Sequence, residues 1–131
     1  MKYFSTSFIF LLIVSTLKSQ TIDSLEYNQG GGVTGIISSF RYNKKSIAFA
    51  EGRVNLNYTY SKKMKKPDWK QIMKLARRLL NDNVTYYTPA NYYQSIAIYS
   101  KGKTIRYMWP KNDSTPPSDL KNLITLLQKY Q

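Results

Sequence analysis

Gly30-Gly31-Gly32-Val33-Thr34-Gly35 runs directly into Ile36-Ile37-Ser38-Ser39-Phe40-Arg41-Tyr42. The glycines fit G-x-G-x-x-G, the pattern of a dinucleotide-binding turn. That use requires a helix after the last glycine, so that its N-terminus meets the pyrophosphate. The residues after Gly35 are instead mostly β-branched and aromatic types, which favour strands. Glu51 lies at a spacing that could suit a ribose contact, yet it falls in another β-like run. The stretch therefore reads as a turn between two strands, with glycine supplying positive φ or a bulge. No nucleotide partner is expected, and the fold turns on antiparallel pairing.

Working outward, Thr21 to Asn28 reads as a short strand through Ile22, Leu25 and Tyr27. Asn43-Lys44-Lys45-Ser46 breaks two further β-like runs. Val54, Leu56, Tyr58 and Tyr60 alternate with Asn55, Asn57 and Thr59, the clearest period-2 strand signal in the chain. The period then changes. Pro67-Asp68-Trp69 opens a helix with Trp69, Ile72, Met73, Ala76, Leu79 and Leu80 on one face, while Lys70, Lys74, Arg77 and Arg78 mostly occupy others. Asn81-Asp82-Asn83 ends it. Strands at Gln94–Ser100 and Thr104–Trp109 flank the tight turn Lys101-Gly102-Lys103. A proline-rich loop leads to a last helix striped by Leu120, Leu123, Ile124 and Leu127. The expected fold is α+β, a two-layer antiparallel β-sheet with two helices packed on one face.

Before this domain, Lys2 and an apolar run from Phe8 to about Leu17 give way to small and polar residues. This is the layout of a secretory signal peptide over residues 1–19, followed by one domain over residues 20–131. The run falls short of the roughly 20 residues that span a bilayer. A secreted or periplasmic location is expected, with no transmembrane span after cleavage. The chain has no cysteine, which excludes disulfides and lipid attachment through a lipoprotein cysteine. Its formal net charge is +13, and removing Lys2 and Lys18 lowers that by two. Such an excess favours acidic partners, either a protein or an anionic polymer.

Other chemical motifs fail on context. Ser100-Lys101-Gly102-Lys103-Thr104 ends like a phosphate loop, but Ile105-Arg106-Tyr107-Met108-Trp109-Pro110 continues as a strand where a helix is required. Ser118-Asp119-Leu120-Lys121 fits S-x-x-K, yet the chain is too short for the folds that use it. Ser118 reads as a helix-start residue whose hydroxyl accepts a backbone N–H. Without histidine or cysteine, the commonest general base, thiol nucleophile and metal ligands are missing. Seven carboxylates remain, none in a metal loop or an i,i+4 pair. No enzyme activity, cofactor or metal is expected.

Two features read as binding surfaces. Lys62, Lys63, Lys65 and Lys66 form the densest charge, between a strand and a helix. Tyr86, Tyr87, Tyr92 and Tyr93 cluster around Pro89, and tyrosine's rigid ring and polar tip suit interfaces.

"LEYNQGGGVTGII", together with the order of elements, resembles the emfourin family of protealysin-associated inhibitors. These small proteins inhibit thermolysin-like metallopeptidases. The positions that carry the resemblance are Tyr27, Gly31, Gly32 and Gly35, then Tyr93, Ile96 and Ile98, then Leu120, Leu123 and Leu127. The Arg41–Tyr60 region is longer than in that pattern and the chain more basic, and no inhibitory residue is carried over. The resemblance implies inhibition of a thermolysin-like metallopeptidase. With the signal-peptide layout and the excess positive charge, the expectation is an exported, non-enzymatic binding protein whose partner is an acidic secreted peptidase. Its candidate contact loops are Gln29–Gly35, Ser61–Pro67 and Pro110–Ser118. The candidate contact residues are Gly30, Gly31, Gly32, Val33, Thr34, Gly35, Lys62, Lys63, Lys65, Lys66, Tyr92 and Tyr93. The alternatives are a cationic surface module that binds anionic envelope polymers through the lysines and exposed tyrosines, or a structural secreted domain.

Overall fold

The glycine stretch reverses the chain between two antiparallel strands, β1 (Ser24–Gly31) and β2 (Ile37–Tyr42), with Leu25 opposite Tyr42 and Gly30 opposite Ile37. The computed structural model describes residues 21–113 and 115–131; the expected signal peptide, residues 1–19, lies outside them. After β2 come β3 (Ser46–Gly52), β4 (Thr59–Lys63), α1 (Lys66–Asn81), β5 (Tyr92–Ser100), β6 (Lys103–Pro110) and α2 (Ser118–Gln128). The strands form one antiparallel sheet in the order β4-β3-β2-β1-β5-β6, and the fold is α+β. Among the described residues no helix is long and apolar enough to cross a membrane.

Side chains directly opposite each other in a sheet share a face, so the register sorts residues into two sets. Leu25, Tyr27, Tyr42, Ile47, Ile96, Ile98, Tyr107 and Trp109 fall on the first face. They belong to one buried cluster with Trp69, Ile72, Leu75, Ala76 and Leu79 of α1 and Leu120, Leu123 and Leu127 of α2. Each fully buried aliphatic side chain contributes about 1.5–3 kcal/mol, so this cluster is the main source of stability. Polar atoms inside it are mostly paired. The Tyr42 hydroxyl donates to the Leu127 carbonyl at 3.1 Å, and Trp109 Nε1 donates to Gln94 Oε1 at 3.0 Å. Gln94 Nε2 in turn donates to the Tyr27 hydroxyl oxygen at 2.8 Å.

α1 starts where Pro67 needs no intrahelical N–H, and Asp68 sits in its first turn. It ends as Asp82 N–H bonds the Arg78 carbonyl at 2.9 Å and Asn83 takes a φ of 48°. Arg78 then joins α1 to α2 through a 3.2 Å ion pair with Asp119. At α2, Pro117 holds the cap position without a side-chain bond and Ser118 is already helical, so Ser118 does not cap through its hydroxyl.

The largest departure from the sequence reading is Val54–Tyr60. Only Thr59 and Tyr60 belong to a strand, and β4 continues through Lys62 and Lys63 rather than giving way to a loop there. Asn55 adopts a φ of 53°, incompatible with a continuous strand. Tyr58 is instead laid over β2, its hydroxyl 2.7 Å from Ser39 Oγ and its ring 4.1 Å from the Arg41 guanidinium. Up to Tyr58 the alternating segment packs part of its side chains onto the sheet without pairing into it.

Candidate functional site

The β1–β2 turn is pinned from both sides. Gly31 N–H donates to the Ile36 carbonyl at 3.1 Å, Gly35 N–H to Gly32 at 3.2 Å, and Gly32 N–H to Asn91 at 2.6 Å. Glycine is required where the chains approach. A Cβ on Gly30 would stand 2.3 Å from the Ile36 carbonyl oxygen, and one on Gly31 would stand 2.0 Å from that of Asn91. Both residues also hold positive φ, 155° and 91°, which L side chains rarely adopt. Beyond this fastened base, Val33 is fully exposed at 107% and Thr34 is exposed beside it. An apolar side chain on an ordered tip is thus presented to solvent.

Tyr92 and Tyr93 lie against the same turn, because Gly31 pairs with Tyr92 and Gly30 with Tyr93. Tyr92 is exposed, and Lys111 Nζ sits 4.5 Å from its ring centroid while donating to its hydroxyl at 2.5 Å. The loop after β6 joins this end of the sheet. Asp113 accepts from the Tyr86 hydroxyl, from Thr115 N–H at 2.9 Å and from Thr115 Oγ1 at 2.6 Å. The bonds from Thr115 and Tyr86 hold the Asp113 carboxyl below its ordinary pKa. Gln29–Gly35 and the start of the Pro110–Ser118 segment, Pro110 and Lys111, therefore share one end of the sheet, with Tyr92 between them. The first of these is part strand, since β1 continues to Gly31.

The lysines stand apart. β4 pairs with the start of β3, the end of the sheet opposite the glycine turn. Ser61–Pro67 is not a loop: Lys62 and Lys63 finish β4, Lys65 caps α1 and Lys66 opens it. Lys62 Nζ donates to the Tyr130 and Gln131 carbonyls at 3.2 Å each, and Lys65 N–H donates to the Tyr130 hydroxyl at 3.2 Å. The four lysines do not form one patch with the tyrosines.

One polar cluster is not apparent from the sequence. On the second sheet face Glu26, Asn28, Ser39 and Ser95 are buried among Ala48, Ala50 and Ala97. Glu26 accepts from Asn28 Nδ2 at 2.9 Å, Arg41 Nη2 at 3.1 Å and the Tyr99 hydroxyl at 3.2 Å. Burial alone would raise the Glu26 pKa, but these bonds and the Arg41 charge hold it below its ordinary value. Burial and the neighbouring Glu26 charge raise the Tyr99 hydroxyl. The available signal is the alternation in Leu25-Glu26-Tyr27-Asn28 and Phe40-Arg41-Tyr42, which needs the register to become a pair.

Glu26 accepts from three donors, and no group of three or more metal-ligating side chains gathers among the described residues. No protein-family model and no curated protein matches the chain. The glycine end exposes mixed apolar and polar side chains on a hydrogen-bonded backbone.

Proposed function

We propose that this chain is an exported, non-enzymatic protein-binding module whose contact surface is the glycine end of the sheet. The observation that carries the reading is Val33, fully exposed on a turn whose backbone is bonded to both β2 and the approach to β5. A loop ordered before binding loses less entropy on association, which is what an inhibitor requires of its contact element. Tyr92 and Lys111 extend the surface with an aromatic ring held by a cation. Aromatic anchors of this kind dominate protein interfaces.

The specific activity we propose is inhibition of a thermolysin-like metallopeptidase, in keeping with the resemblance to emfourins. The high positive charge would speed encounter with an acidic enzyme. Titration of the purified protein against a thermolysin-like peptidase tests it. Stoichiometric loss of peptidase activity is expected, and full activity at a several-fold molar excess of the protein refutes inhibition of that enzyme.

A further inference from the structure

At the opposite end of the sheet, α1 carries a feature the glycine turn does not use. Lys66, Lys70 and Arg77 recur at four and then seven residues, which keeps them along one flank of the helix. Lys44, in the turn between β2 and β3, faces them across a groove of about 370 Å³. Trp69 and Met73 also line it, recessed at 8% and 6% exposure. Among the described residues no acidic side chain lines this groove. Among the described residues the ion pairs are Arg41 with Glu26 and Arg78 with Asp119, so none of the four groove cations has a carboxylate within 4.0 Å. Asp68, the nearest acid in sequence, is turned to the Tyr130 hydroxyl at 2.5 Å. Like charges gathered around one hollow repel each other, and an incoming anion relieves that repulsion.

We infer that this groove binds an acidic oligosaccharide, a linear sugar polymer carrying carboxylates. The span from Lys66 to Arg77 is about 16 Å along the helix, so the cations are arranged for a chain with repeated charges. The small apolar floor left by Trp69 and Met73 suits the C–H face of a sugar ring. A bilayer surface would call for protruding apolar side chains beside the cations, whereas these two are recessed. A single-stranded nucleic acid would call for an open aromatic face on which bases stack, and Trp69 offers little.

The test is calorimetric titration of the purified protein with an oligogalacturonate of defined length. Saturable one-to-one binding is expected, weakened by salt. The double variant Lys70→Glu/Arg77→Glu should lose about tenfold or more in affinity, a difference of about 1.4 kcal/mol or more. Lys63→Glu/Lys103→Glu, which changes the net charge equally outside the groove, should lose far less. Absence of binding, or equal losses in the two double variants, overturns the proposal. So does tighter binding to phosphatidylserine-rich vesicles than to the oligomer. If the groove double variant fails to fold, Lys44→Glu in the exposed turn takes its place, with the same expected direction. Val33→Asp should leave this binding unchanged, so failure here is separable from failure of peptidase inhibition.

Discussion

Glu26 and Arg41 are register partners across the β1–β2 pair, and the guanidinium donates to the carboxylate at 3.1 Å. The glutamate is nearly buried while the arginine remains partly open to solvent and packs on the Tyr58 ring. Through Arg41, this pair helps hold the Tyr58 ring on the second sheet face. Because the folded pKa of Glu26 is held below its ordinary value of 4.5, its charge adds stability above that value. The contribution falls as pH drops through the folded pKa. Denaturant unfolding of Glu26→Gln should therefore show a flatter loss of stability below about pH 4.5 than the parent protein. Arg41→Met should cost roughly 1–3 kcal/mol at neutral pH, less than a fully buried pair because the guanidinium is partly solvated. An unchanged acid limb in Glu26→Gln would contradict this account.

The glycines of the turn should differ sharply in tolerance. Gly31→Ala places a Cβ against the Asn91 carbonyl at a φ of 91°, so the β1–β5 pairing must shift. Gly35→Ala meets no atom within 4 Å and pays only for a φ of 63°. We expect a cost of roughly 1–2 kcal/mol for Gly35→Ala, the ordinary penalty of that backbone region, and a clearly larger one for Gly31→Ala. Thermal melts of the two variants give the order directly, and equal melting temperatures would refute it.

Local signals make much of this fold legible in the sequence. Pro67 with the apolar spacing from Trp69 to Leu80 marks α1, and Lys101-Gly102 marks the β5–β6 turn, where both residues do take positive φ. Rejecting a helix after Gly35 is enough to set antiparallel pairing. Alternation alone misleads. Val54 to Tyr58 alternates, yet Asn55 breaks the strand conformation and Tyr58 finds its partners on β2. Sites built from distant residues are hidden for a related reason. Glu26 meets Arg41, and Lys44 meets the flank of α1, only once register and packing are known. The helical spacing of Lys70 and Arg77 puts them on faces away from the core, which is correct but says nothing of what stands opposite them.

Tyr107 and Tyr42 make a test of buried hydroxyls. Among the described residues the Tyr107 hydroxyl is buried without a hydrogen-bond partner, and burial pushes its pKa up. Tyr42 is equally buried, but its hydroxyl bonds the Leu127 carbonyl and so ties β2 to the end of α2. Removing an unsatisfied hydroxyl relieves a desolvation cost, whereas removing a bonded one forfeits that bond, even though the Leu127 carbonyl keeps the Tyr130 N–H at 3.1 Å. Tyr107→Phe should be neutral or stabilising, and Tyr42→Phe should cost roughly 0.5–1.5 kcal/mol or more. Urea midpoints compare the two at constant unfolding slope. A larger loss in Tyr107→Phe than in Tyr42→Phe would mean the hydroxyl contacts are assigned the wrong way round.

Val33 separates binding from folding. Its side chain contributes nothing to the core, so Val33→Asp should leave stability within about 0.5 kcal/mol of the parent. If the turn is the contact element, the same change buries a carboxylate at the interface. It should then weaken peptidase inhibition by at least about tenfold, or about 1.4 kcal/mol. Tyr92→Ala removes the neighbouring ring and should weaken binding in the same direction, while Lys63→Glu at the far end should act only through encounter rate and salt dependence. Inhibition constants measured at two salt concentrations distinguish these effects. Retention of full inhibition by Val33→Asp, in a protein whose melting temperature is unchanged, would move the contact surface away from the glycine turn.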